Sequence, residues 1–297
     1  MTTNKPTKII SGVSEIWERY DAFIIDLWGV THNGRVLFDE AIAFFRLARQ
    51  QGKQVLFLSN APRRQETVHH HLASFGLPRE LYLDVVTSGE AAWNWIAQQR
   101  ASNTLGRACY HLGAGEKDMG MRIGLDLDFV DDATASDFIL NTGPEEAITS
   151  VEGFADLLAG PLAAGTPMIC ANPDLSVFRG AVEEICAGSI AEYYEAKGGP
   201  VHWFGKPWAQ VYDNCLDRLS QDLSGLAKSR ILCIGDSFRT DIGGANQNGF
   251  DSLVVATGLR GTQLCPPGQD QLDPAALVTL SSEYGAYPTY ATVALKP

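Results

Sequence analysis

Polar side chains that could hold a metal ion or a phosphate group lie where three predicted strands end. Asp26 lies in the first of these apolar runs, and Asp236 follows the third. The dipeptide Ser59-Asn60 follows the second. In a parallel sheet, ligands bind in the crevice outside the carboxyl ends of the strands. Side chains placed there by three separate strands are therefore expected to face one site.

Two further residues complete a set that suits phosphoryl transfer. Asp241 lies five residues beyond Asp236, and Lys206 precedes Pro207, a proline at the predicted start of a helix. Carboxylates bind a hard cation such as Mg²⁺, and the cation and a lysine offset charge on phosphoryl oxygens. One carboxylate could then attack phosphorus and form an aspartyl-phosphate. Each acid taken alone could also be a helix-cap or loop residue.

The composition is typical of a globular protein with an acidic surface. Hydrophobic residues make up 45% of the 297 residues and charged residues 20%, which is ordinary usage for such a protein. The net charge of −12 repels nucleic acids and anionic membranes and argues against both as partners. An anionic small substrate would need a local attraction, such as a bound cation or a helix N-terminus.

The cysteines indicate a reduced, cytoplasmic protein rather than a disulfide framework or a zinc site. The six are far apart in sequence and form no CxxC pair. The polar N-terminus lacks the apolar stretch of a signal peptide. No apolar run approaches the roughly 20 residues that span a bilayer.

Short apolar runs alternate with helical patterns along the chain, which predicts βαβ units and a parallel sheet. The pattern restarts near Ala101, and the tail after Thr262 reads as loop-rich. The predicted strands are 23–27, 55–58, 84–87, 108–112, 138–141, 168–171, 231–234 and 253–256, and the main predicted helices are 39–51, 64–75, 89–100 and 207–219.

Four ordered pieces of the sequence resemble the haloacid dehalogenase superfamily. They are similar to its class IIA branch of sugar-, nucleotide- and pyridoxal-phosphate phosphatases. The pieces are Asp26-Leu27-Trp28-Gly29-Val30, Leu58-Ser59-Asn60, Gly205-Lys206-Pro207 and the stretch 235–245, which begins Gly235-Asp236-Ser237. The tripeptide Asn248-Gly249-Phe250 lies just downstream of the fourth piece and belongs to the same resemblance. The last piece is the most specific. More than a hundred residues separate the second from the third, the interval where class IIA members insert a cap domain.

The resemblance implies a fold, a reaction and a role for each site residue. The fold is a doubly wound α/β core of residues 1–88 and 200–297, with an α/β cap at 89–199. The reaction is Mg²⁺-dependent hydrolysis of a small phosphate monoester. The expected partner is a small phosphorylated metabolite, and the chain could also form a homo-oligomer. The nucleophile is Asp26, the phosphate is held by Ser59, Asn60 and Lys206, and Mg²⁺ is bound by Asp26, the backbone carbonyl of Trp28, Asp236 and Asp241.

The sequence departs from the superfamily at Trp28. Most phosphatases of the superfamily carry a second Asp there, which protonates the leaving group and activates water, a contribution of about 10² to 10⁴ in rate. His32 could supply the proton, since its ordinary pKa of about 6.5 is suitable, or it could pack locally in its loop. Alternatively the substrate has a good leaving group, as an acyl phosphate does, and needs little help from a general acid. In a third reading hydrolysis is slow, and the chain is a phosphotransferase or a weakly active phosphate-binding protein.

The tripeptide Asn172-Pro173-Asp174 follows a predicted strand in the inserted region. A similar tripeptide occurs in class IIA relatives, so Asn172 and Asp174 are candidates for residues close to the substrate. Asn-Pro and Pro-Asp are also ordinary turn sequences, so a purely structural turn is the alternative.

Overall fold

The computed structural model describes residues 6–113, 115–145, 148, 150–179 and 182–297. Numbered in chain order, its strands are β1 (Lys8–Ile9), β2 (Ala22–Ile25), β3 (Gln54–Ser59), β4 (Asp84–Thr87), β5 (Ala108–Leu112), β6 (Asp128–Phe129), β7 (Phe138–Asn141), β8 (Met168–Cys170), β9 (Ser176–Arg179), β10 (Val182–Ile185), β11 (Val201–Trp203), β12 (Ile231–Gly235), β13 (Asp251–Val255) and β14 (Tyr290–Thr292).

The helices connect these strands. They are α1 (Asp39–Gln50), α2 (Gln65–Ser74), α3 (Ser88–Ala101), α4 (Ala155–Ala164), α5 (Ala187–Ala196), α6 (Ala209–Ser220), α7 (Gly243–Gln247), α8 (Gly261–Leu264) and α9 (Pro274–Tyr284). A π-helical turn, Phe238–Ile242, precedes α7. No helix in the described ranges is long and apolar enough to cross a membrane.

The chain divides into two compact units. The core unit comprises the residues up to Ser59, His70–Val86 and Tyr212–Pro297, and the insert unit comprises Asn60–His69 and Thr87–Val211. The bounds expected from the sequence were 1–88 with 200–297, and 89–199. The observed division assigns Lys206 and Asn60 to the insert unit, whereas the sequence reading had placed both in the core.

The core unit is built around a parallel sheet. Within the described residues, seven strands form it in the order β1-β14-β13-β12-β2-β3-β4, and Thr87 of β4 alone falls outside the unit. The described registers, such as Ile25 opposite Phe57, are parallel. All residues of β2 and β12 are buried, as expected for strands whose two faces are both covered. The adjacent strands β12, β2 and β3 therefore end at one edge of the sheet.

The insert unit has a sheet of its own. In the part of the chain that the structure describes, its five strands run in the order β11-β8-β7-β5-β6, with parallel registers. A separate antiparallel hairpin joins β9 and β10. Strand β11 pairs with β8, so this sheet extends beyond residue 199, the cap boundary expected from the sequence.

The C-terminal tail is more ordered than its sequence suggested, so the loop-rich reading was wrong. It contains α9 and the strand β14, which lies between β1 and β13. Asp273 caps α9 by accepting hydrogen bonds from two backbone N–H groups, and Pro274 occupies the first turn. Helix α6 was also misplaced at its start, because it begins at Ala209 and not at Pro207.

An aromatic cluster anchors α1 to the core sheet. Phe44 is fully buried, and its ring centroid lies 5.0 Å from that of Phe23 and 5.6 Å from that of Trp17. Ala41, Phe44, Phe45 and Ala48 are the buried residues of α1, the spacing of one apolar helix face.

We predict that Phe44→Ala lowers the free energy of unfolding by about 3 to 5 kcal/mol, because it removes a buried ring and leaves a cavity. Val278→Ala is the control, since Val278 is 66% exposed on α9 and should change stability by less than about 0.5 kcal/mol. Urea unfolding followed by circular dichroism measures both. Equal losses would show that Phe44 is not a core anchor.

Candidate active site

Three carboxylates meet at the carboxyl edge of the core sheet. Asp26 directly follows β2 and Asp236 directly follows β12, while Asp241 lies in the π-helical turn after β12. Their ligand oxygens all lie within 4.8 Å of one another. Asp236 and Asp241 are buried and Asp26 is half-buried. The sequence had placed Asp26 inside its strand, but β2 ends at Ile25, and this leaves Asp26 at the strand end.

Backbone N–H groups hold two of these carboxylates in place. The Oδ2 atom of Asp236 accepts a hydrogen bond of 2.5 Å from Leu259 N–H. The Oδ2 atom of Asp241 accepts from the N–H groups of Asp236 (3.2 Å) and Ser237 (3.0 Å). Hydrogen bonds to a carboxylate favour its charged form. The local backbone therefore fixes the two side chains and compensates part of their charge.

Two glycines allow the backbone to approach Asp236 closely. A Cβ at Gly29, where φ is +81°, would lie 2.6 Å from Asp236 Oδ2, and a Cβ at Gly258 would overlap the same carboxylate. Thr257 donates a hydrogen bond of 2.5 Å from its hydroxyl to the carbonyl of Gly29 and so ties the two loops together. The sequence reading missed the loop Thr257-Gly258-Leu259. Its one signal was a Thr-Gly pair after the last predicted strand.

The chemistry of this cluster suits a hard divalent cation. Two carboxylates about 5 Å apart repel each other by about 3 kcal/mol at an effective dielectric constant of about 20. Burial also raises the pKa of the nearby Tyr212 well above its usual range, and the charges of Cys233, Asp241 and Asp26 add to this effect. A cation bound by the carboxylate oxygens would relieve the repulsion among the three side chains. Carboxylates are the ligands that Mg²⁺ and Ca²⁺ prefer.

Ser59 lies at the same edge of the sheet as the carboxylates. It is the last residue of β3, which pairs with β2, and it is buried. Thr31 lies close to the nucleophile candidate, because its hydroxyl donates to the carbonyl oxygen of Asp26 at 3.0 Å. The phosphate-binding role of Ser59 and the metal contact through the Trp28 carbonyl both stay predictions.

The indole of Trp28 is packed against its own loop. A Cβ at Gly34 would overlap the indole ring, so the ring lies directly on the backbone of Gly34. The ring of His32 meets the indole edge-on, with the centroids 5.6 Å apart. Trp28 is half-buried, and it occupies the position where most phosphatases of the resembled superfamily carry an Asp.

His32 has the environment of a packing residue. Its Nδ1 accepts a hydrogen bond of 3.0 Å from the N–H of Gly34, and its ring contacts that of Phe75 at 5.1 Å. Burial, with a smaller effect from the charge of His71, lowers the pKa of His32 to about 4. A group that is neutral at pH 7 and whose Nδ1 is engaged by its own loop is a poor proton donor. These contacts favour local packing over the acid/base role.

The other candidate residues come together within the insert unit. Asn60 accepts a hydrogen bond from Lys206 N–H at 2.8 Å and donates one to Asp174 Oδ1 at 2.9 Å. The Oδ1 atom of Asn172 accepts from Asp174 N–H at 3.0 Å, which closes a local turn. Asn60 and Lys206 are buried. Asn172 and Asp174 thus take part in a hydrogen-bonded network, and a contact with substrate stays a prediction for both.

Comparison with known proteins identifies the family. Residues 23–121 match the family described as haloacid dehalogenase-like hydrolase, and residues 203–276 match one described as HAD-hydrolase-like. A haloacid dehalogenase-like hydrolase from Brucella suis 1330, a solved crystal structure, is 31% identical, with a TM-score of 0.82 over 97% of this chain and 100% of that chain. The chain belongs to the haloacid dehalogenase-like hydrolases.

Relatives of this haloacid dehalogenase-like hydrolase bear the names of phosphatases. The 5'-nucleotidase YutF of Bacillus subtilis is 28% identical over 248 residues, which cover 81% of this chain and 88% of that protein. The acid sugar phosphatase of Staphylococcus haemolyticus is 28% identical over 249 residues, 82% of this chain and 87% of that protein. The predicted superfamily, α/β fold and enzyme class are confirmed.

In this haloacid dehalogenase-like hydrolase, we predict that His32→Asn leaves the shape of the pH–rate profile unchanged between about pH 6 and about pH 8, because His32 is already neutral there. Asn can retain the acceptor for Gly34 N–H. Phosphate release from p-nitrophenyl phosphate measures the rate. Loss of a limb near pH 6.5 in the variant would instead assign His32 the acid/base role.

The same variant should change how stability depends on pH. The folded-state pKa of His32 lies below the ordinary value of 6.5, so its neutral form stabilises the fold above about pH 6.5. This stabilisation is lost as the pH falls towards 4, by up to about 1.4 kcal/mol per pH unit. Urea unfolding at a series of pH values measures this effect. As the pH falls from about 6.5 towards 4, the free energy of unfolding should decrease less for His32→Asn than for wild type.

Proposed function

We propose that the chain hydrolyses a small-molecule phosphate monoester with the help of Mg²⁺, and that Asp26 is the nucleophile. One observation carries the proposal: the ligand oxygens of Asp26, Asp236 and Asp241 lie within 4.8 Å of one another at the sheet edge. Two of these carboxylates are held by backbone N–H groups, while Asp26 is half-exposed at the end of β2. This arrangement supports one carboxylate that attacks and a set that binds a cation.

The proposed reaction has two displacement steps. A carboxylate oxygen of Asp26 attacks phosphorus while the bond from phosphorus to the leaving oxygen breaks, which gives an aspartyl-phosphate. The leaving oxygen takes a proton from solvent water and departs as an alcohol. Water then attacks phosphorus, the bond to the Asp26 oxygen breaks, and inorganic phosphate leaves. Ser59 and Lys206 have the roles that the resemblance implies, namely a hydrogen bond to the phosphoryl group and compensation of its charge.

The metal proposal rests on the donor set. Asp26, Asp236 and Asp241 offer only hard oxygen ligands, which suit Mg²⁺. A bound Mg²⁺ would supply positive charge next to the phosphoryl oxygens. The protein's own part is to fix Asp236 and Asp241 through backbone donors, so that little rearrangement accompanies binding.

The substrate class is drawn from the relatives and from the charge of the protein. The relatives are named for nucleotide and sugar phosphate substrates, and we propose that this chain also takes a small phosphorylated metabolite. With a net charge of −12, the chain attracts such an anion only through local positive charge. We further propose that the insert unit corresponds to the class IIA type of cap domain and selects the substrate.

We predict that Asp26→Asn lowers the rate of phosphate release across a panel of phosphate esters by about 10³-fold or more, because the amide cannot act as the nucleophile. Asp236→Asn should raise the Mg²⁺ concentration for half-maximal activity by at least about tenfold. Asp213→Asn is a matched control on the exposed face of α6. Equal rates for wild type and Asp26→Asn would leave a phosphate-binding protein without catalysis as the function.

The indole at position 28 has a consequence for the leaving group. Trp28 is packed on Gly34 and carries no group that can donate a proton at neutral pH. His32, the candidate substitute, has a pKa lowered to about 4 by burial. Turnover should therefore be faster for weakly basic leaving groups, such as a carboxylate or a phenolate, than for alkoxides.

We predict that Trp28→Asp raises kcat/KM for an alkyl phosphate such as glycerol phosphate by at least about tenfold relative to Trp28→Asn, because the new carboxyl group can protonate the leaving oxygen. The two variants lose the same indole packing and differ only in the ionisable group. Both should be similar on p-nitrophenyl phosphate, whose leaving group needs no proton. A gain that is equal on both substrates would contradict this explanation.

A further inference from the structure

The side-chain amide of Asn60 contacts both polar backbone groups of Lys206. Its Oδ1 accepts from Lys206 N–H at 2.8 Å, and its Nδ2 lies 3.4 Å from the carbonyl oxygen of Lys206, towards which it donates. The same Nδ2 donates to Asp174 Oδ1 at 2.9 Å. Asn60 is 4% exposed and Lys206 3%, so the two hydrogen bonds between them form away from water. Buried hydrogen bonds of this kind strongly restrict the positions of their partners.

The partners leave the Asn60 amide only one orientation. A backbone N–H can only donate, so it requires the oxygen of the amide. A carboxylate and a carbonyl can only accept, so both require the nitrogen. A flipped amide would lose all three hydrogen bonds and place two donors face to face. Asp174 therefore stabilises the same orientation of the amide that the N–H and carbonyl of Lys206 require.

Gly205 allows this close contact. Its φ is +116°, a region that L side chains rarely adopt, and a Cβ there would lie 2.5 Å from Asn60 Oδ1 and 2.9 Å from Pro173. The backbone before Lys206 thus passes directly between Asn60 and the turn that contains Asp174.

The turn is itself held from two sides. Asn172 Oδ1 accepts from Asp174 N–H, and the carbonyl of Asp174 accepts from Gly188 N–H at 3.1 Å at the start of α5. Cys170 Sγ lies 3.3 Å from the carbonyl of Asn172. The Asp174 carboxylate is therefore presented to Asn60 from a turn fixed at its own backbone.

We propose that Asn60 and Asp174 are positioning residues for Lys206. Asn60 holds the Lys206 peptide from its N–H and its carbonyl side, and Asp174 holds the Asn60 amide in the orientation that this requires. The pair thereby fixes the point from which the lysine side chain extends. The inference rests on the proposed function, in which the ammonium group of Lys206 compensates charge on the phosphoryl group.

The proposal predicts a large effect from a small displacement. A shift of about 1 Å in a positioning group can cost about 10²-fold in rate. Asn60→Asp keeps an acceptor for Lys206 N–H but places a second carboxylate against that of Asp174. We expect kcat/KM for p-nitrophenyl phosphate with Mg²⁺ to fall by about tenfold to about 10²-fold. Asn214→Asp, an exposed substitution of the same chemistry on α6, is the matched control and should be silent.

An exchange of the two side chains tests the role of Asp174. In Asn60→Asp with Asp174→Asn, the carboxylate at 60 accepts from Lys206 N–H and from the new amide at 174. Of the three hydrogen bonds that Asn60 makes in this network, the 3.4 Å contact with the Lys206 carbonyl is the one lost. We expect kcat/KM to recover to within about fivefold of wild type. An exchange variant no better than Asn60→Asp overturns the role of Asp174.

A double-mutant cycle with Lys206→Ala separates positioning from general stabilisation. The Lys206→Ala chain keeps the backbone groups that Asn60 holds but lacks the ammonium group. If Asn60 acts through that group, Asn60→Asp should change kcat/KM less than about twofold in this background. The same fold-loss in both backgrounds overturns the proposal.

Two checks keep the outcomes distinct. If circular dichroism shows that Asn60→Asp does not fold, Asp174→Ala replaces it, with the same loss expected in wild type and absent from the Lys206→Ala background. Asp26→Asn is run in parallel. If it is as active as wild type, the proposed function itself fails. If only Asp26→Asn is inactive and the Asn60 and Asp174 variants match wild type, the positioning inference alone fails.

Discussion

The repulsion among Asp26, Asp236 and Asp241 is the constraint on which the core unit's site depends. Three carboxylates with ligand oxygens within 4.8 Å of one another are unfavourable unless neighbouring groups compensate their charge. Backbone N–H groups supply part of that compensation at Asp236 and Asp241. The sheet supplies the rest of the geometry, because β2 and β12 are neighbours and end together.

The sequence was sufficient to place two of the carboxylates, Asp26 and Asp236, at the sheet edge because each is tied to a local pattern. The buried runs of β2 and β12 end at Ile25 and Gly235, and the acids follow directly. The backbone of Leu259 could not be found in this way, since the donor is a peptide N–H and the side chain is apolar. The tail was misread although Asp273-Pro274 is an ordinary helix start. Its strand, β14, has only three residues, too few for a periodic pattern.

Long-range hydrogen bonds explain why the insert unit was harder to predict. Asn60 pairs with Asp174 across 114 positions and with Lys206 across 146, and no local pattern links them. Its place after a strand indicated a polar residue at a site, and the superfamily resemblance implied a phosphate contact, which stays a prediction. The side chain also makes three contacts inside its own unit. The sequence therefore predicted where Asn60 lies along the chain, but not which residues its side chain contacts.

The hydrogen bond from Leu259 also limits what an amide at position 236 can report. Asparagine is nearly the same shape as aspartate, so the replacement is usually taken to remove charge alone. At Asp236, one oxygen already faces a peptide N–H. If the amide nitrogen occupied that place, two donors would oppose each other. If it turned away, the nitrogen would face the proposed metal ion. Either orientation of the amide is unfavourable. Asp236→Asn therefore removes a charge and also disturbs the hydrogen bonding of the loop that contains Leu259.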